Sequence, residues 1–125
     1  MGFPSPATDY VENRLSLDEL CNTRAPSVYI FRTCTLSRRA GIIAGALLVV
    51  NSALKPVDGS IIAARLNGEF RLVRYRTVPI LHFEELEHPD RRLPVAEDAD
   101  MDGGGAVCFG VVTHVLNDVR AARVA

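Results

Sequence analysis

The residues best suited to covalent chemistry lie in the segment CTLSRRAG, residues 34–41. It places a thiol, a hydroxyl and two arginines directly before an apolar run. A nucleophile of this kind needs a base beside it in the fold, although not beside it in sequence. Cys34 could act with a distant histidine, but no sequence signature of a cysteine nucleophile surrounds it. We therefore expect Cys34 to be an inert, buried or half-buried thiol.

Metal and cofactor sites are not supported by the spacing of the polar residues. The histidines are His82, His88 and His114, and no HxxxH or HExxH motif occurs, so surface or hydrogen-bonded histidines are expected. The acidic stretches HFEELEHPD and AEDADMD lack the EF-hand register, and we interpret them as solvated loop faces. The glycines at 103–105 lack the strand and helix that flank a phosphate-binding loop. The sequence predicts no metal and no cofactor.

Three arginines follow one predicted strand, at positions 71, 74 and 76. Strand alternation puts Arg74 and Arg76 on one face, and Arg71 on the other with Val73 and Tyr75. This pattern leaves two interpretations open, a patch that contacts an acidic partner or phosphate, and an ordinary solvated strand face.

The bulk composition indicates a single globular domain. The chain has 125 residues, 48% hydrophobic and 23% charged, with a formal net charge of -1. That charge argues against electrostatic binding of DNA or an anionic membrane over a broad surface. Local clusters of basic residues are still compatible with it. Three widely spaced cysteines without a CxxC motif suggest reduced thiols. The start lacks a signal-peptide pattern, and the longest apolar run is about half a membrane span, so we expect a cytoplasmic protein.

The elements that must position these residues are mostly strands. Residues 1–15, with two prolines, are predicted to form an extended arm, and residues 16–125 a single domain. Ser16 and Glu19 have capping-box spacing, which predicts one short helix at about 16–22. The strand candidates are SVYIFR, ALLVV, SIIAARL, GEFRLVRYRTV, PILHF and AVCFGVVTHVL. Asn67-Gly68 between two of them is a strong hairpin signal. The expected fold is compact and mostly β.

Several blocks of the chain resemble the LexA/UmuD-type serine peptidase family. The arm GFPSPATDYVENRLSL is highly similar to the start of the processed UmuD form, and IIAGALLVVNSA, DGSIIAARLNGEF and FGVVTHV follow in register. The similarity covers nearly the whole chain apart from an apparent insertion near DMDGGG. It implies the compact β fold of the LexA/UmuD C-terminal domain.

The family's chemistry, by this resemblance, is a serine–lysine dyad that cleaves a bond in the protein's own arm. Ungapped alignment puts Leu36 in the nucleophile slot, with Ser37 one place further on, and Val73 in the base slot, with Arg74 beside it. An arginine stays protonated and is a poor base, and the only lysine, Lys55, lies in a turn. We therefore expect no catalytic residues. The Cys–Gly bond that the family cleaves before GFPSP does not occur here, and whether Met1 is a native start stays open.

The resemblance implies an accessory subunit of an error-prone translesion polymerase in the SOS response to DNA damage. Such a subunit forms a homodimer, binds a UmuC-like Y-family DNA polymerase, and communicates with the RecA filament and the sliding clamp. We expect no strong direct binding of nucleic acid and no membrane contact. Two alternatives stay open. The chain could be a peptidase that uses Ser37 to cleave itself or a partner, or a pseudo-peptidase regulator that forms mixed dimers.

Overall fold

The computed structural model describes residues 14–93, residue 95 and residues 105–120. Most of the predicted arm at 1–15 and most of the acidic stretch AEDADMDGGG lie outside these residues. In the described part, no helix is long and apolar enough to cross a membrane.

The described residues form one helix and a seven-stranded sheet. The elements in chain order are α1 Leu17–Cys21, β1 Val28–Arg32, β2 Leu47–Asn51, β3 Ile61–Leu66, β4 Glu69–Arg76, β5 His82–Glu85, β6 Arg92–Leu93 and β7 Val107–Leu116. The prediction of a mostly β fold of the LexA/UmuD type is confirmed.

The strands follow the order β1-β2-β7-β3-β4-β5-β6 and pair antiparallel throughout. The last strand in the sequence therefore lies between β2 and β3, and both of its neighbours depend on it for hydrogen bonds. Gly110 of β7 passes so close to β2 that a Cβ there would lie 2.9 Å from Val50 Cγ1. Glycine is thus required for the close approach of these two strands.

The β3–β4 hairpin forms where the sequence predicted it. Asn67 and Gly68 have φ values of 54° and 83°, the left-handed conformation that a two-residue type I′ turn needs. In the resulting register Ile62 lies opposite Val73, and Ala63 lies opposite Leu72. Alternate residues of β3 and β4 consequently supply two different apolar clusters. One contains Ile62, Val73 and Phe83, and the other contains Leu48, Val50 and Ala63.

Several local predictions need correction. Ser16 occupies the N-cap position of α1 but makes no side-chain capping bond, and Leu17 and Leu20 remain 57% and 54% exposed. The strand expected in PILHF begins only at His82, because residues 78–80, which include the cis Val78–Pro79 bond, form a bend. The two-residue strand β6 lies in a stretch expected to be loop. Short strands like β6 carry too few residues for a periodic signal.

Candidate functional site

Position 73 on β4, the base slot of the family alignment, lies inside the hydrophobic core. The Val73 side chain is 0% exposed and packs in the cluster that contains Ile62, Ala64 and Phe83. Arg74 is directed away from this cluster and donates from Nη1 to the Gly59 carbonyl oxygen at 2.8 Å. Because β4 is regular here, no shift of register brings the guanidinium into the position of Val73. The strand offers no titratable side chain at the base slot.

The loop that carries the nucleophile slot is a tight turn built around Ser37. Leu36 is 58% exposed, whereas Ser37 is 0% exposed. The backbone of Ser37 exchanges two hydrogen bonds with Ile42, each 2.8 Å long. Its hydroxyl donates to Glu87 Oε2 at 2.8 Å and accepts from the Ala40 N–H at 3.1 Å. The serine therefore closes the turn with its backbone and its side chain.

Glu87 connects this loop to the end of β5, fifty residues further along the chain. The same Oε2 atom accepts the Arg39 N–H at 3.1 Å. The hydrogen bond from Ser37, followed by the one from the Arg39 N–H, holds the pKa of Glu87 below the ordinary value of 4.5. The lowered pKa makes this carboxylate a weaker proton acceptor than an ordinary glutamate, although it touches the hydroxyl that a base would activate.

Asn117, just past β7, fixes the other side of the loop. Its Oδ1 accepts the Ile43 N–H at 3.0 Å, and its Nδ2 donates to the Gly41 carbonyl oxygen at 2.9 Å. The side-chain amide thus pairs with the loop backbone as a neighbouring strand would. Sequence reasoning missed both Glu87 and Asn117, because each contact joins residues far apart in the chain.

A shallow pocket of about 220 Å³ lies beside Ser37. On β4 it is lined by Phe70, Arg71 and Leu72, and Val73 is not among its lining residues. The two slot positions therefore do not share this pocket. The groove next to it, about 350 Å³, is lined by Phe31, Cys34 and Thr35 among others. Its walls carry no lysine or histidine, so among the described residues neither cavity combines a serine with the family's lysine.

The arginines of β4 are engaged within the protein. Arg71 lies 3.6 Å from Glu85, and Arg76 lies 3.2 Å from Glu84 and 3.6 Å from Asp58. Together with the Arg74 bond to Gly59, these contacts favour a structural role for the three arginines over a patch for an acidic partner.

Two interpretations of the sequence are corrected here. The stretch HFEELEHPD is not a solvated face, because Glu84, Glu85 and Glu87 each contact a specific partner. Burial alone would raise the pKa of Glu84, but the hydrogen bonds from Arg76 and His82 outweigh it and lower that pKa. Cys34 is exposed, contrary to the expectation of a buried or half-buried thiol.

The remaining cysteine and histidine side chains that could take part in catalysis or bind a metal are those of Cys108, His82, His114 and His88. Cys108 is half-buried, and burial raises the pKa of its thiol. His82 is buried between the Ile80 carbonyl oxygen at 2.7 Å and Glu84 at 3.3 Å. His114 Nδ1 contacts Thr113 Oγ1 at 2.9 Å, and His88 is exposed. Within the described part of the chain, no group of three His, Cys, Asp or Glu side chains is arranged to hold a metal ion.

Comparison with known proteins agrees with this architecture. The family model described as Peptidase S24-like matches residues 1–104. The chain is 38% identical to Protein ImpA of Escherichia coli, over 98% of this chain and 81% of the relative. It is 39% identical to Protein SamA of Salmonella typhimurium, over 96% and 81%. It is 34% identical to Protein MucA of Escherichia coli, over 92% and 77%. The chain belongs to the Peptidase S24-like family and is a UmuD-type, mutagenesis-related member of it.

Proposed function

We propose that this protein is a non-catalytic accessory subunit of an error-prone translesion DNA polymerase of the UmuC type. The observation that carries the proposal is the complete burial of Val73 among apolar side chains at the base slot. A serine–lysine dyad needs a lysine that reaches the serine, and an apolar core position supplies neither the amine nor the access. The described residues form a seven-stranded sheet, which supports a role in binding in place of catalysis.

An aromatic surface on the sheet supports the further proposal that the subunit works as a homodimer. The surface consists of Tyr29, Phe31, Phe70 and Phe109, whose neighbouring ring centroids lie 5.1 to 6.2 Å apart. Tyr29 and Phe70 are still 44% and 49% exposed in the single chain. Large aromatic rings are enriched at protein interfaces because they bury much area at little entropic cost. The β3–β4 hairpin and β7, which carry two of the rings, would form the dimer surface.

The dimer can be tested by sedimentation velocity on the full chain. Phe70→Glu places a charge in the aromatic surface, next to Phe31 and Phe109, and is expected to shift the protein to the monomer mass. Val119→Glu is the matched control, because Val119 is 80% exposed and lies outside this surface. Equal behaviour of both variants and the unaltered protein would remove the aromatic surface from consideration.

The polymerase partnership is tested by pull-down with a UmuC-type Y-family polymerase, with and without RecA filaments and sliding clamp. The proposal expects a stable complex that survives Ser37→Ala, because the interaction does not use the serine. Failure to associate with any such polymerase under these conditions would contradict the proposal. An accessory role in DNA replication also places the protein in the cytoplasm, in line with the sequence-based expectation.

A second candidate function is a peptidase that uses Ser37, and the 2.8 Å contact between Ser37 and Glu87 favours it. Two features weigh against it, namely the complete burial of the serine and the lowered pKa of Glu87, the carboxylate that touches it among the described residues. The test is incubation with an intact UmuD-like substrate and a RecA filament. Cleavage that disappears in Ser37→Ala would establish the peptidase. A pseudo-peptidase regulator would instead form mixed dimers with active family members on native gels.

A further inference from the structure

Two pairs of adjacent arginines lie on chain segments that the structure brings together beside the degenerate site. Arg38 and Arg39 follow Ser37 in the first loop, while Arg91 ends the turn after β5 and Arg92 is the first residue of β6, paired with Glu84. The two loops are joined through Glu87, which accepts hydrogen bonds from the Ser37 hydroxyl and from the Arg39 N–H. The turn of the second loop is closed by the Arg91 N–H, which donates to the His88 carbonyl oxygen at 2.8 Å. We call these four side chains the arginine patch.

The arginine patch makes no ion pair in the described part of the chain, although, besides the hydrogen bond from Ser37, the charge of Arg39 contributes to the lowered pKa of Glu87. All four arginines are exposed. In the part of the chain that the structure describes, the ion pairs of arginine with carboxylate involve Arg71, Arg76 and Arg120, and none of the patch. The β4 arginines, by contrast, each have an internal partner. Exposed arginines that fix no element of the fold are free to meet an external anion.

The local charge balance is positive although the whole chain is slightly acidic. The segments 38–39 and 87–92 hold the four arginines and two carboxylates, Glu87 and Asp90. Glu87 is turned toward Ser37 and the Arg39 N–H, so part of its charge is already solvated by the loop. The net charge of the chain is -1, and this patch is therefore a local departure from the average.

We infer that the arginine patch binds the phosphate backbone of single-stranded nucleic acid. A guanidinium group presents a planar fork of donors that matches phosphate oxygens. Two pairs on different chain segments suit a ligand that repeats its charge at every unit, since one strand can contact both segments at once. Contacts of this kind recognise the backbone and not the sequence. This binding goes beyond the proposed polymerase role and does not depend on it.

The binding is measured by fluorescence anisotropy with the full chain and a fluorescein-labelled oligothymidylate of about 20 nucleotides. We expect a dissociation constant in the nonspecific range, roughly 1 to 100 μM at physiological salt, and tighter binding at low salt. With four phosphate contacts on a single strand, the plot of log K against log salt concentration should have a slope of about −2.8 between about 50 and 200 mM NaCl.

The variants Arg38→Glu/Arg39→Glu and Arg91→Glu/Arg92→Glu should each weaken binding at low salt at least about 10-fold and reduce the slope to about −1.4. The matched control is Arg14→Glu/Arg24→Glu, which makes the same change in net charge near α1 and β1, at the opposite edge of the sheet from β6. The control should retain most of the affinity. Circular dichroism verifies that every variant keeps the strand signal of the unaltered protein.

Three outcomes would overturn the inference. The first is no anisotropy change at low salt up to about 100 μM protein, the weak end of nonspecific binding. The second is equal weakening by the control and by both patch variants, which would reflect net charge alone. The third is patch-dependent binding of a fluorescein-labelled oligoglutamate peptide without binding of the oligothymidylate, which would assign the patch to an acidic protein segment.

Discussion

The two positions that the family resemblance assigns to the dyad lie in contrasting surroundings. The base slot is occupied by Val73, a core side chain with 0% exposure. It packs in a buried apolar cluster with residues of β3 and β5. The nucleophile slot is occupied by Leu36, an exposed residue, and a serine follows it directly. The loop around that serine is fixed by polar contacts from Glu87 and Asn117. The base slot is therefore occupied by an apolar side chain that packs in the core, whereas the loop has polar groups whose hydrogen bonds hold the loop in place.

The same substitution at the two slots should change the free energy of unfolding by very different amounts. Val73→Lys forces an amine into an apolar core, and we expect it to lower the free energy of unfolding by at least about 3 kcal/mol. Leu36→Lys places the amine in solvent and should change it by less than about 0.5 kcal/mol. Urea denaturation followed by circular dichroism measures both. A Val73→Lys protein as stable as the unaltered one would mean that the base slot is open and not packed.

Removal of the serine hydroxyl tests whether the loop uses it structurally. Ser37→Ala loses one hydrogen bond to Glu87 and one from the Ala40 N–H, and we expect a loss of about 1–2 kcal/mol of stability. Thr35→Ala is the matched control, because Thr35 is exposed and its hydroxyl makes no hydrogen bond in the described structure, and its effect should stay within about 0.5 kcal/mol. Equal stability of Ser37→Ala and the unaltered protein would show that the buried hydroxyl is not needed for folding.

Asn117 should contribute a similar amount from the other side of the loop. Asn117→Ala removes the two hydrogen bonds to Gly41 and Ile43, with an expected cost of about 1–2 kcal/mol. Asp118→Ala, at the next position, removes exposed contacts with Arg120, namely the ion pair and the hydrogen bond from its backbone N–H, and should cost less than about 0.5 kcal/mol. Hydrogen exchange at the Ile43 amide gives a local readout, because that amide loses its acceptor in Asn117→Ala alone.

The smallest expected effect concerns the pH dependence of the Glu87 contact. The folded pKa of Glu87 lies below 4.5, so its stabilising contribution is fully present above that pH and is lost as the pH falls through the folded value. The unaltered protein should therefore exceed Glu87→Gln in stability at neutral pH, and the difference should shrink on acidification below 4.5. Denaturation curves of both proteins across this range provide the measurement. A difference that is constant with pH would mean that the charge of Glu87 is not used.

Much of the fold follows from local sequence, and much of the site does not. The alternation of apolar residues and the Asn67-Gly68 turn are local signals, and they placed β3 and β4 correctly. The slots at Leu36 and Val73 came from family resemblance, and only the structure showed that one is exposed and the other buried. The contacts of Ser37 with Glu87 and of Asn117 with the loop could not be predicted, because no periodic pattern links residues 50 or 76 positions apart. For the same reason the acidic stretch around Glu84 was wrongly interpreted as solvated.

The central position of β7 has a consequence for how the chain is made. Strands β1 and β2 pair with each other, and β3 to β6 pair in succession, and among the described strands β7 joins these two groups. Until β7 has left the ribosome, the edges of β2 and β3 that it covers have no partner. A ribosome that stalls before residue 107 would release a product in which these two edges stay unpaired in addition to the outer edges at β1 and β6. Truncation before β7 is therefore expected to expose the same backbone groups that recruit proteases and chaperones, so that shortened copies are cleared and do not accumulate.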